Sequence, residues 1–274
     1  MATTADALTG AGLRDDRLDG TARETAVDRW IFVATAVGFI AVALAGFLPD
    51  SVHKIGLVQA GKRAPFPLVL HLHAVLMGSF LLLLLAQTIL AATGRTDRHM
   101  KLGRIGMILA PALVVVGFVL APTMYHLTWD AAQAAAPPAR AALAKAVRGA
   151  DNTLLLQLRS GLLFSVLLFI GLKARQSDPS LHKRLMILAV APALGAGLAR
   201  ISWLPTTLPA SPVSQDLGVL ALIAPMLIWD LARNRRVHPA YWIFAAFALP
   251  CSVAVHALWD TPWWHAAARW VMRV

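Results

Sequence analysis

Charged residues and cysteine are scarce in this chain, and each shortage excludes a class of protein. Only 14% of the 274 residues are Asp, Glu, Lys or Arg, whereas 58% are apolar and the mean hydropathy is +0.64. Because soluble domains carry about 25% charged residues, this composition excludes an ordinary soluble domain. The single cysteine, Cys251, excludes an internal disulfide, and we interpret it as a small residue in a helix core.

Acidic residues are the scarcer charge, with 14 Asp and Glu against 25 Lys and Arg and a net charge of +11. The basic residues concentrate in the short loops that follow the second, fourth and sixth apolar segments. Such loops remain on the cytoplasmic side of a membrane. We therefore predict a cytoplasmic N-terminus, a C-terminus outside and no nucleic-acid partner, because the charge reflects topology. The basic loop residues are Arg95, Arg98, Lys101, Arg104, Lys173, Arg175, Lys183, Arg184, Arg233, Arg235 and Arg236.

The chain contains several long runs of apolar residues. A spanning helix needs about 20 predominantly apolar residues, and seven segments approach that pattern. We therefore predict an all-α, polytopic membrane helix bundle with about seven transmembrane helices across residues 30–259, in contact with the lipid bilayer. The predicted spans are 30–48, 67–92, 104–124, 153–173, 184–204, 215–232 and 240–259.

Three segments lie outside the predicted spans. Residues 1–29 mix acidic and basic side chains without the apolar stretch of a cleavable signal, which predicts a cytoplasmic tail. Residues 127–152 are Ala-rich and contain Pro137 and Pro138, which predicts an amphipathic helix on the outer surface. Residues 260–274 carry three Trp over helix-forming residues, and we predict an interfacial C-terminal helix there.

Two stretches of the chain resemble each other. DRHMKLGR, from Asp97, and SLHKRL, from Ser180, share His-x-Lys/Arg-Leu at the start of an apolar segment, with Ala-Pro further on. The pattern indicates a weak internal repeat of helix pairs, spans two with three and four with five. Chance similarity between two basic junctions is the alternative.

Histidines recur at the ends of the spans, in two layers. His71 and His73 are two residues apart on one helix, so they point in different directions, and which of them is a ligand stays open. Arg159 is a charge within a span, which marks a site or a structural pair. The outer layer comprises His71, His73, His126, His256, Arg159 and Arg200, and the inner layer comprises His99, His182, His238 and Asp230.

This arrangement suits a metal cofactor. Neutral imidazole is the commonest metal ligand, and two histidines from facing helices can bind a haem iron while Arg pairs with its propionates. We predict haem b and electron transfer, with a quinone or another membrane protein as partner. The outer metal-ligand candidates are His73, His126 and His256, the weaker inner candidates are His99, His182, His238 and Asp230, and zinc or copper is the alternative metal.

Two longer stretches carry a family resemblance. HLHAVLMGSFLLLLLAQTILAATGRTDRHMKLGRIG and IWDLARNRRVHPA contain an early-span His, a Gln before an Arg-rich loop, His-x-x-Leu-Gly-Arg, and Asp followed by Arg-x-His-Pro. With them the chain resembles a family of uncharacterised bacterial multi-pass membrane proteins. The resemblance implies a place in the bacterial cytoplasmic (inner) membrane and no particular activity. The chain is also loosely similar to cytochrome b561-type haem proteins, which implies histidine-bound haem.

Other functions remain open at this point. Histidines that bind nothing would suit a structural accessory subunit of a larger membrane complex. The residue types His99, His182, His238 and Asp230 also suit a zinc-dependent membrane hydrolase similar to the adiponectin receptors, although span seven lacks their His-x-x-x-His pair. A metal or solute transporter would use spans kinked by Pro111, Pro192, Pro225 and Pro250. A retinal protein is excluded, because span seven has no lysine.

Overall fold

The chain folds into a bundle of helices. The computed structural model describes residues 25–274, and seven helical segments in that range are long and apolar enough to cross a membrane, which confirms the predicted seven-span, all-α fold. A 3-10 turn, Ala191–Leu194, joins α5 to α6, so that the three together make the fifth span. The α-helices are α1 Ala26–Gln59, α2 Leu68–Ala92, α3 Thr96–Gln133, α4 Pro137–Ala174, α5 Pro179–Val190, α6 Gly195–Leu198, α7 Val213–Asn234, α8 Pro239–Leu258 and α9 Pro262–Met272.

Local sequence signals set where the helices begin. Thr25 and Asp28 form a reciprocal capping box at the start of α1. The side chains of Asp178, His238 and Thr261 accept backbone N–H groups at the starts of α5, α8 and α9. Each of these three helices also begins with proline, whose fixed φ suits the first turn and whose missing N–H costs nothing there.

The α3–α4 hairpin is longer than a membrane crossing requires. Each helix has 38 residues, which at about 1.5 Å per residue gives roughly 57 Å against a hydrocarbon core of about 30 Å. Residues 127–152, predicted as a separate surface helix, instead complete α3 and begin α4. Pro137 and Pro138 explain the difference, because they start a new helix instead of interrupting one.

Two ends of the bundle are named here according to the predicted topology. The outer end holds the α3–α4 turn, and the inner end holds the α2–α3 turn. At the outer end α9 packs against α3 and α4 around a small hydrophobic cluster that includes Tyr125, Leu154 and Trp264. The predicted C-terminal segment is thus helical, whereas residues 1–24 of the predicted tail lie outside the described range.

The main core is centred on the fifth span. Leu185 and Leu188 of that span are fully buried, as is Met226 of α7, which packs into the same core. On the opposite surface of the helices, large apolar side chains such as Leu68 and Ile108 stay exposed, at 82% and 76%. Exposing so many large apolar side chains to water would raise the free energy of the folded protein, and the surface is consistent with contact to lipid.

Candidate functional site

Two of the predicted outer residues, Arg159 and His256, meet around an acid that sequence reasoning missed, Asp216. Arg159 Nη1 donates to Asp216 Oδ1 at 2.5 Å, and His256 Nε2 lies 2.9 Å from Oδ2. Ser252 Oγ also donates to Oδ2, at 2.5 Å. This Asp216 cluster, comprising Arg159, Asp216, Ser252 and His256, joins α4, α7 and α8 close to the outer end.

The other outer candidates lie apart from the Asp216 cluster. His73 faces α3, where a Cβ on Gly117 would lie 3.9 Å from its Cε1, and its Nδ1 is buried without a hydrogen-bond partner in the described chain. His126 is nine residues beyond Gly117, or about 13 Å along the helix, so His73 and His126 do not converge. His71 is exposed and its ring lies 6.1 Å from that of Phe66.

Arg200 has an electrostatic partner of its own. Its Nε lies 3.4 Å from Asp50 Oδ2, and its guanidinium lies over the Phe47 ring at 4.8 Å. Because both partners belong to α1, Arg200 ties the end of the fifth span to that helix. The predicted outer set therefore divides into one cluster and several separate sites.

At the inner end, Asp230 and Arg184 form a bidentate ion pair. Nε and Nη2 of Arg184 lie 2.6 and 2.7 Å from the two carboxylate oxygens, and the Tyr241 hydroxyl donates to Oδ2 at 2.6 Å. The side chains of Arg184 and Asp230 are 0% and 2% exposed. Arg184, predicted as a loop charge, is instead a buried partner, because α5 begins at Pro179 and places it one turn inside.

His238 belongs to the same network. Its Nδ1 accepts the backbone N–H of Ala240 at 3.1 Å, so in the neutral ring Nε2 carries the proton. Nε2 then donates to Ser180 Oγ, 2.9 Å away, and Ser180 Oγ also accepts from Arg184 Nη1 at 2.6 Å. Both ring nitrogens of His238 are thus engaged in helix capping and side-chain bonding.

Two of the predicted inner zinc ligands, Asp230 and His238, are engaged in these contacts. The carboxylate of Asp230 is bound by Arg184 and Tyr241. The ring nitrogens of His238 are hydrogen-bonded to Ser180 and to the backbone N–H of Ala240. Within residues 25–274, no group of three or more His, Cys, Asp or Glu side chains is arranged to hold a metal ion. The four residues proposed for a hydrolase therefore do not form one site.

His99 and His182, by contrast, come together as a pair. Their ring centroids are 6.4 Å apart and their planes lie at 88°. His99 Nδ1 donates to the Gln87 carbonyl at 3.2 Å, and His182 Nδ1 donates to the Gly171 carbonyl at 2.8 Å. Because a carbonyl only accepts, each neutral ring keeps its lone pair on Nε2.

The His99–His182 pair also gives the predicted internal repeat of helix pairs a structural counterpart. Each histidine lies in the first turn of its helix and bonds the helix before it, α2 for His99 and α4 for His182. Gln87 adds a second bond from its amide to the His99 carbonyl, at 3.1 Å. The two helix pairs therefore use the same contact at the same position.

Comparison with known proteins adds no assignment. No family model, curated protein or solved structure matches the chain.

Proposed function

We propose that this integral membrane protein binds a redox-active metal cofactor through His99 and His182 and that it serves in electron transfer. Haem b is the cofactor that we favour. The single observation that carries the proposal is the adjacent pair of imidazoles from α3 and α5. The chemistry that bound haem supplies is a one-electron iron couple. A quinone or another membrane protein is the proposed electron partner.

The ring separation suits two ligands on opposite sides of one metal. With metal–nitrogen bonds of about 2.0 to 2.1 Å and a ring nitrogen about 1.1 Å from its centroid, opposite ligands have centroids about 6.3 Å apart. At a tetrahedral angle the same bonds give about 5.1 Å. The 6.4 Å between the ring centroids of His99 and His182 would let both imidazoles hold one metal ion, and haem bound there would supply its one-electron iron couple.

The surroundings of the pair support ligand function. A ligand histidine usually donates its second N–H to a carbonyl or carboxylate, which orients the ring and raises its basicity. His99 and His182 each have that bond. At the start of α3 an open cleft is lined by Arg95, Arg98 and Lys101 together with Asp97, and the three cations would pair with haem propionates.

Absorption spectroscopy and metal analysis of the purified protein test this proposal. Protein from haem-replete cells should have a Soret band and about one iron per chain, and His99→Ala and His182→Ala should each diminish both. His71→Ala is the matched control, because His71 is exposed and lies apart from the pair. A colourless, iron-free preparation would overturn haem binding, and a Soret band unchanged in both variants would exclude these ligands.

A structural role in a larger membrane complex is the second candidate. The observation that favours it is the α3–α4 hairpin, which is about 27 Å longer than the hydrocarbon core requires. Lys145 lies exposed on this hairpin. Amine cross-linking in native membranes should then join Lys145 to one other protein in fixed stoichiometry, whereas cross-links within this chain alone would count against the role.

A further inference from the structure

The C-terminal helix α9 is held on the α3–α4 hairpin by a buried carboxylate. Asp151 is 0% exposed, and its Oδ1 accepts the Tyr125 hydroxyl at 2.7 Å. The indole N–H of Trp264 donates to the Asp151 backbone carbonyl at 2.8 Å. His265 Nδ1 lies 2.8 Å from Asp151 Oδ2, which makes His265 the side-chain bridge from α9 to this carboxylate.

The second ring nitrogen of His265 also meets a carboxylate. Nε2 lies 3.1 Å from Asp260 Oδ1, and the His265 side chain is only 12% exposed. A carboxylate oxygen only accepts, and a neutral imidazole has one N–H. Both contacts are hydrogen bonds at once when both nitrogens are protonated, so the geometry is that of an imidazolium between two carboxylates.

The other groups around His265 fit this charge state. Asp260 is 63% exposed, and its backbone N–H donates to the Asn152 side-chain oxygen at 3.0 Å. From α9 itself, Arg269 lies over the Trp129 ring at 5.6 Å, and no hydrogen bond reaches its buried Nε within residues 25–274. The side chain of α9 that hydrogen-bonds the buried Asp151 carboxylate is therefore His265.

We propose that His265 is a proton-operated latch for α9. As an imidazolium it bridges Asp151 and Asp260 and holds α9 on the hairpin. When it loses its proton, one bridge becomes a contact between two acceptors, and α9 loosens. Because the docked form binds the extra proton, docking is strongest at low pH and weakens as the pH rises. The latch is independent of haem binding.

Hydrogen–deuterium exchange of the full-length protein in detergent, at pH 5.5 and 8.5, tests the latch. After correction for intrinsic exchange rates, protection of α9 amides should fall roughly two- to fivefold at the higher pH, because the lost contact joins the exposed Asp260 carboxylate. His265→Gln should abolish this pH dependence. His126→Gln is the control, because the His126 ring lies 6.3 Å from that of Tyr125 and contacts no carboxylate within residues 25–274.

Asp260→Asn separates the latch from a proton held by Asp151. The new amide can donate to a neutral Nε2, so α9 should stay protected at both pH values. Equal α9 protection at pH 5.5 and 8.5 in the unchanged protein would overturn the proposal. A full pH effect in Asp260→Asn would also overturn it, by placing the proton on Asp151. This second variant decides the matter even if His265→Gln fails to fold.

Discussion

Removing the charge of Asp230 should destabilise the bundle more than any surface change. Asp230→Asn removes the bidentate ion pair that Asp230 makes with the Arg184 guanidinium, which is 0% exposed. Breaking a buried ion pair from one side costs about 3 to 5 kcal/mol, because the charge that remains is still buried. At roughly 2 to 4 °C per kcal/mol for chains of this order of size, the melting temperature should fall by roughly 6 to 20 °C.

The matched control is Asp50→Asn. Asp50 pairs with Lys54 at 2.6 Å and with Arg200 at 3.4 Å, but its side chain is 28% exposed. Ion pairs that water reaches contribute about 0 to 1 kcal/mol. The control should therefore shift the melting temperature by only a few degrees, roughly 0 to 4 °C.

Thermal unfolding followed by tryptophan fluorescence in one detergent measures both variants. The double variant Arg184→Met with Asp230→Asn should recover part of the loss, because it removes the buried Arg184 charge as well. An Asp230→Asn melting temperature no lower than that of Asp50→Asn would refute the reasoning. So would a double variant that is less stable than Asp230→Asn alone.

Two further predictions concern helix packing and the outer end. Gly46→Ala should cost about 1 to 3 kcal/mol in an unfolding titration, because its Cβ would overlap the Gly197 carbonyl, whereas Gly38→Ala on the same helix has open space and should be neutral or stabilising. Asp216→Asn should cost about 1 to 3 kcal/mol, since it leaves Arg159 unpaired but is itself 22% exposed. A loss as large from Gly38→Ala, or none from Asp216→Asn, would contradict these assignments.

The predicted and observed sites differ in which residues are neighbours. Arg159 and His256 were expected at one depth, and they do meet, but through Asp216, which is 57 residues from one and 40 from the other. The sequence favours the outer histidines as metal ligands, whereas the two histidine rings that lie next to each other are the inner ones, His99 and His182. Depth follows from rise per residue within one helix, whereas lateral neighbours depend on how different helices pack.

The sequence alone determined the number of spans and the class of fold. Both follow from a local property, because about 20 predominantly apolar residues in one helix are enough to cross the hydrocarbon core. Only the tertiary structure decided that Arg184 is buried against Asp230, that Asp216 joins Arg159 to His256, and that α9 rests on Asp151. Each of those contacts joins residues more than 35 positions apart, where no local periodicity selects the partner.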